Sequence, residues 1–308
     1  MEGVRFYQLS SFLFLIYVMK RYILIIPDVH GRQFWRRAVK DWSDKVEKVV
    51  FLGDYLDPYP FERESPTFDL AWEGLLDIIE LKKSDPEKII LLEGNHDAHY
   101  HYLDTFGEWG RGSRFDYNKA RKINKLFEEN ESLFQAAFQY QFSEDGEVFL
   151  FTHAGLCKGW AEQNKLTIPD TPDLAWWLNN MLKTCEQTPH NWMGDVGRSR
   201  GGWCPSGSPL WADWDGDHYT TSKFGLPNKP EVYQIFGHTL GTSPLRISDY
   251  CACLDCKRPF LLNENGILGE IESAESDAYW EFIINSSGLD FREWRRAYEE
   301  FTGYPLDF

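Results

Sequence analysis

Residues 22–31 read YILIIPDVHG, an unbroken apolar run that stops at a proline and gives way at once to an aspartate, a histidine and a glycine. Apolar residues at successive rather than alternate positions suit a strand covered on both faces, as in a parallel sheet with helices packed against it. The same pattern returns four times. Lys48 to Leu52 leads into Gly53-Asp54-Tyr55-Leu56-Asp57, and Ile89 to Leu92 leads into Gly94-Asn95-His96-Asp97. Val148 to Phe151 leads into Thr152-His153-Ala154-Gly155, and Val232 to Phe236 into Gly237-His238-Thr239. Between these runs, Phe68 to Lys83 carries Leu75, Leu76 and Ile79 at helical spacing, and Ala120 to Phe138 does so less regularly; both predict crossover helices. Strands alternating with helices give an α/β architecture.

Beyond Leu245 the pattern shifts to short strands around Ala252 to Leu254, Pro259 to Leu262 and Ile267 to Glu272, with Asn265-Gly266 as a turn signal, so an antiparallel finishing sheet is expected. Residues 287–301 open with a Ser-x-x-Asp capping pattern and place Phe291, Trp294, Tyr298 and Phe301 on one helical face, which predicts a helix docked on the sheet core. No repeat or long polar linker divides the chain, so residues 19–308 are expected to form a single domain. Its least regular part is a Trp-rich insertion at 155–216 with seven of the thirteen tryptophans, either a lid over the site or the filling of an irregular core. At the N-terminus, Phe12 to Val18 is too short an apolar run to span a bilayer and lacks a small-residue cleavage site. Residues 1–18 are therefore expected to be a non-native or disordered extension.

The charge balance narrows the function classes. With 48 acidic against 32 basic residues, a net charge of -16 disfavours a nucleic-acid backbone or an anionic membrane as the main partner. Six dispersed cysteines suit free thiols in a reducing compartment, and hence a cytoplasmic protein. Cys251, Cys253 and Cys256 give poor tetrahedral spacing and no fourth ligand, so they are expected to pack in the core rather than hold zinc.

In an open α/β sheet the carboxyl ends of strands converge on one crevice, so five clusters that follow five strands are expected to meet. For any single histidine a satisfied structural role is the default; five clusters in register with five strand ends argue for chemistry. Asp, Asn and His donors suit two divalent ions such as manganese, iron or zinc, with manganese foremost, and a shared carboxylate could bridge them. The glycines let the backbone turn sharply where each ligand must point inward.

These blocks and their order resemble the calcineurin-like metallophosphoesterase family, and most of all its branch of phosphoprotein phosphatases and diadenosine tetraphosphate hydrolases. The resemblance implies a β-sandwich of two mixed sheets flanked by helices, with a dinuclear metal site at the strand carboxyl ends. It also implies that Asp28 and His30 hold the first ion, that Asp54 bridges, and that Asn95, His153 and His238 hold the second. His96 resembles the family's general acid and Asp57 the carboxylate that orients its imidazole. Phosphodiesterase and nuclease branches usually end in Gly-His-x-His, whereas Leu240 stands at the last of those positions here, which favours the phosphatase-like branch. Hydrolysis of a phosphate monoester by a metal-bridging hydroxide is thus the implied activity. A dinucleoside polyphosphate hydrolase or phosphodiesterase, or a non-catalytic scaffold on the same fold, are the alternatives. The implied partner is a phosphorylated small molecule or phosphoprotein.

One position departs from that pattern. The residue after the Asp57 position, an arginine that grips phosphate in phosphoprotein phosphatases, is Pro58 here. Arg63, Arg198 and above all Arg200 are the candidates to replace it; the last two precede Leu210-Trp211-Ala212-Asp213, a degenerate form of the family's Leu-Trp-Ser-Asp segment. His99 and His101 match no ligand position and are expected to be local surface or supporting residues, and His190 and His218 also match no motif.

Overall fold

The apolar runs become the centre of two sheets. The computed structural model describes residues 21–59, 66–103, 114–170, 173–185, 192–213, 232–240, 245–248, 251–264 and 268–271. Along the chain lie β1 (Tyr22–Ile26), α1 (Phe34–Trp42), β2 (Lys48–Phe51), α2 (Phe68–Ser84), β3 (Ile89–Leu92), α3 (Asn95–His101) and α4 (Ala120–Glu129). There follow β4 (Phe134–Gln135), β5 (Ala137–Gln141), β6 (Val148–Thr152), α5 (Lys158–Gln163), α6 (Leu174–Lys183), β7 (Val232–Phe236), β8 (Leu245–Ser248), β9 (Cys251–Cys253), β10 (Phe260–Asn263) and β11 (Leu268–Glu270).

The first sheet has the order β11-β10-β1-β2-β3-β4 and the second β5-β6-β7-β9-β8. Both are mixed. β1, β2, β3 and β4 run parallel, with β10 antiparallel to β1 and β11 antiparallel to β10; β6, β7 and β9 run parallel, with β5 and β8 antiparallel at the two edges. The continuous apolar character of the central strands now has its cause. In β1, Ile23 and Ile25 face the interior between the sheets, where they join Val50, Ile90, Phe149, Phe151, Tyr233 and Ile235. Leu24 and Ile26 face the other way, against Trp35, Ala38, Leu75, Ile78 and Phe127 of the helices on the outer face. Leu150 and Phe236 of the second sheet likewise meet Trp160, Leu174 and Leu178 outside. Each layer is an apolar surface withdrawn from water on both sides, the main favourable contribution to such a fold.

Thr67 caps α2, its Oγ1 accepting from Leu70 N at 3.2 Å, at the start expected from the sequence. Two expectations need correction, and one helix is additional to them. The helix predicted over Ala120 to Phe138 ends at Glu129, because Asn130 folds back to donate to Leu126 O at 2.8 Å; Phe134 and Gln135 then pair with β3, and Ala137 begins β5. The finishing strands make no sheet of their own. β9 joins the second sheet parallel to β7, whereas β10 and β11 extend the first, which covers edges that would otherwise expose unpaired backbone. The helix α1 was not singled out in the sequence; it buries Phe34, Trp35, Ala38 and Val39 at helical spacing.

Trp160 and Trp211 of the 155–216 segment are buried on the outer face of the second sheet, with Trp177 and Trp192 packed against the same cluster. Cys251, Cys253 and Cys256 are buried, as expected for packing. The predicted helix at 287–301 and the 1–18 extension lie outside the described residues. Among the described residues no helix is long and apolar enough to cross a membrane.

Candidate metal centre

The five clusters that follow β1, β2, β3, β6 and β7 come together, three from one sheet and two from the other. Several hold backbone that only a built turn sustains: His30, Asp54, Asp57 and His238 all have positive φ, at 44°, 54°, 55° and 69°. Left-handed backbone costs an ordinary L-residue roughly 1–2 kcal/mol, so surrounding contacts must enforce it here. Asp97 provides much of that enforcement. Its buried carboxylate accepts from Asp54 N at 2.7 Å, Tyr55 N at 3.0 Å and Gly94 N at 2.9 Å, which ties the loop after β2 to the loop after β3.

Asp54 sits at the middle. Its Oδ2 lies 3.4 Å from His30 Nε2 on one side and 3.5 Å from His153 Nε2 on the other, while Oδ1 accepts from His96 N at 2.9 Å. Two donor groups therefore share it: Asp28, His30 and Asp54, and Asp54, His153 and His238. Asn95 completes the second, with Oδ1 3.0 Å from His153 Nε2 and 2.9 Å from His238 Nδ1. Each buried imidazole is oriented from behind. His30 Nδ1 donates to Leu56 O at 2.9 Å and His153 Nδ1 to Leu52 O at 2.8 Å, which leaves the Nε2 lone pair of each directed at Asp54.

Electrostatics favour the ligating forms of some groups and oppose that of one. Burial, opposed by the contacts to Asp54, lowers the His30 pKa, and burial together with the Arg200 guanidinium holds His238 well below the ordinary imidazole value, shifts that favour the neutral, ligating ring in both. Burial works against an ionised Asp54, but the imidazoles around it prevail and hold its carboxyl well below the usual range. Asp28 is the exception: burial and the Asp54 charge push it up to about 8.

These residues fit a pair of divalent cations. Asp28 Oδ2 and His238 Nε2 are buried with no hydrogen-bond partner among the described residues, although both belong to the donor groups. Two glycines make room for the donor carboxylates. A Cβ at Gly237 would fall 2.0 Å from Asp28 Oδ2, and one at Gly94 would fall 2.2 Å from Asp54 Oδ1. A divalent ion held by carboxylate, amide oxygen and imidazole would engage the orphaned atoms.

Beside this centre lies a dyad. His96 Nδ1 donates to Asp57 Oδ2 at 2.8 Å, and burial lowers the His96 pKa against the opposing pull of Asp54 and Asp57. Burial also disfavours an ionised Asp57, yet the hydrogen bonds from His96 and His99 win and keep its carboxyl far below the usual range. His99 and His101 are not surface residues: both are buried. His99 Nε2 lies 2.9 Å from Asp57 Oδ2, Tyr100 OH donates to Asp57 Oδ1 at 2.6 Å, and His101 Nδ1 lies 2.9 Å from Glu93 Oε1. His96, His99 and Tyr100 project from one face of α3, the i, i+3, i+4 relation that was visible in the sequence.

Of the arginines singled out, Arg200 approaches the centre. Its Nη2 donates to Thr239 Oγ1 at 2.7 Å and lies 3.5 Å from His238 O, with Asp213 Oδ2 3.4 Å from its Nε. Arg198 is exposed, and Arg63, His190 and His218 lie outside the described residues. Sequence reasoning passed over Arg114, whose Nη2 lies 3.3 Å from His96 Nε2; no motif surrounds it. Leu240 packs against the core between the sheets.

A family model described as calcineurin-like phosphoesterase matches residues 21–241. Among solved structures, a mutant of a cold-active protein tyrosine phosphatase is similar at 13% identity and TM-score 0.51, over 82% of this chain and 80% of that one. A protein serine/threonine phosphatase from Saccharomyces cerevisiae is similar at 14% identity and TM-score 0.47, over 84% and 82%. At such identities the first of these likenesses speaks for the fold. No curated protein matches the sequence.

Proposed function

The chain belongs to the calcineurin-like phosphoesterase family, and on that premise we propose that it is a metal-dependent phosphatase that hydrolyses a phosphate monoester. One observation carries the reading: two donor groups share the Asp54 carboxylate, and the His96–Asp57 dyad stands directly beside them, with His96 N bonded to that same carboxylate.

Asp28 and His30 would hold one cation, Asn95, His153 and His238 the other, and Asp54 both. When bound, two such ions supply Lewis acidity to the phosphoryl oxygens and the activation of water, with manganese the first candidate and iron or zinc the others. The chain's own residues do the rest. Asp57 fixes the tautomer of His96 by accepting from Nδ1, so the proton for the departing alkoxide leaves from Nε2, the ring atom opposite. Tyr100 and His99 hold Asp57 in place so that this imidazole does not rotate. Arg200, whose contacts to Thr239 and Asp213 hold it beside His238, draws the substrate anion toward that flank, with Arg198 and Arg63 as further candidates for the approach.

Leu240, turned into the core where a second histidine would face the site in a phosphodiesterase-like ending, favours a monoester over a diester. The substrate is a phosphorylated small molecule or phosphoprotein, and free buried thiols suit a cytoplasmic setting. Metal content of the purified protein, measured with turnover of an aryl phosphate monoester, a phosphodiester and a dinucleoside tetraphosphate, tests the proposal. Chelator-sensitive activity highest on the monoester is expected. Faster turnover of the dinucleoside tetraphosphate or the diester would replace the monoester reading, and no turnover by protein loaded with two ions would leave a scaffold.

A further inference from the structure

His96 presents Nε2 to the site because Nδ1 is engaged with Asp57, and the group found against Nε2 is the guanidinium of Arg114, 3.3 Å away. Its placement is built rather than incidental. Arg114 Nε donates to Asp57 O at 3.0 Å, its guanidinium lies 3.8 Å from the centroid of the Tyr59 ring, and its backbone takes the left-handed φ of 73°. Tyr59 in turn packs edge-on against His30, with centroids 4.9 Å apart. One cation is thus braced simultaneously against the carbonyl of Asp57, against a ring that touches a ligand of the first donor group, and against the reactive end of the dyad.

We propose that Arg114 contacts the substrate phosphate on the His96 side of the centre, a role that rests on the phosphatase reading above. A guanidinium held beside Nε2 lies where an ester phosphate must come to receive its proton, and phosphate oxygens offer it charge-assisted and often bidentate acceptors. The need is local as well. Asp28, Asp54 and Asp57 crowd the site, the chain carries a net charge of -16, and Pro58 supplies no donor in the loop behind the dyad. Arg32 serves otherwise, buried with Nη1 on Asp28 O at 3.3 Å, and Arg200 stands on the opposite flank beside His238. Arg114 and Arg200 then face a phosphate from two sides.

The test uses the full, metal-loaded chain and inorganic phosphate as the probe, with its binding followed by calorimetry and as competitive inhibition of aryl phosphate turnover. Arg114→Ala is expected to weaken phosphate binding and raise KM by roughly ten- to a hundredfold, the range for one charge-assisted contact, with unchanged metal content. Arg114→Lys, which keeps the charge without the planar fork, should fall between and remains informative if the alanine variant folds poorly. Phosphate binding that is unchanged while kcat falls would make Arg114 only a prop for Asp57 and His96, and would overturn the proposal while the phosphatase reading stands. Wild-type protein that neither binds phosphate nor turns over an ester would overturn both.

Discussion

Gly237→Ala adds one methyl group at a position where it would sit 2.0 Å from Asp28 Oδ2 and 3.1 Å from Asp28 Cγ. Asp28 is short and buried, so its carboxylate has to retreat by more than about 1 Å to restore ordinary van der Waals contact. Metal ligands tolerate displacements of only about 0.2 Å, so the first donor group loses a member. A misplacement of about 1 Å at a catalytic centre is enough for a rate loss on the order of a hundredfold. The penalty for the fold is smaller, because Asp28 Oδ2 has no hydrogen-bond partner among the described residues; what is lost is the bond from His238 N to Oδ1 at 2.9 Å. That bond is worth about 1–3 kcal/mol, or a few degrees to roughly ten in melting temperature for a chain of this size. Elemental analysis, aryl phosphate kinetics and a thermal melt on the same preparation separate the two effects. A variant that keeps both ions and near wild-type turnover would refute the assignment of Asp28 as a ligand, and a variant that does not fold would refute the small structural penalty.

Asp54→Asn weakens the group shared by both donor sets, so elemental analysis should show less than the full metal complement and turnover should be lost; full activity would remove the two-ion assignment. His96→Asn should retain its metal and lose roughly a hundredfold or more in rate on an alkyl phosphate but much less on an activated phenyl ester, since only the poor leaving group needs the proton; equal losses would exclude proton donation. Because the Asp28 carboxyl is pushed up to about 8 in the metal-free protein, ligation must expel a proton. Metal affinity should therefore fall as pH drops through about 8, by up to about tenfold per unit, and calorimetry in buffers of different ionisation enthalpy should detect the released proton. For the same reason the metal-free fold should lose stability as pH rises from about 4 towards that value, the unfolded chain ionising first; a flat profile would contradict it. Arg200→Ala should raise KM while leaving metal content intact, with Arg198→Ala close to wild type because that side chain is exposed.

The centre was legible because its ligands follow strands buried on both faces, and such strands announce themselves as continuous apolar runs ending in glycine and a polar donor. β4 and β5 gave no such signal. Phe134-Gln135 is only two residues long, and Ala137 to Gln141 alternates polar and apolar residues at an edge, so neither interrupts the helical pattern upstream. Asp97 lay within a quoted motif, but its task of binding three backbone amides depends on a loop 43 residues earlier and has no local mark. His99 and Tyr100 could have been found from their spacing to His96 on a short helix. Arg114 could not, because it reaches Asp57 across 57 residues of chain through contacts that exist only after both loops have folded.

The split origin of the donors makes the rim of the sandwich a gauge of interlayer spacing. Asp28, Asp54 and Asn95 move with one sheet, His153 and His238 with the other, and the bonds from His153 Nδ1 to Leu52 O and from His238 N to Asp28 Oδ1 cross the seam. Phe149, Phe151, Ile23, Ile25 and Tyr233, which touch none of the reacting groups, set how far apart the layers stand. Sequence drift in that filling is consequently answerable to chemistry: a larger or smaller side chain deep between the sheets would be registered first as a change in metal affinity, before it was registered as a loss of the fold.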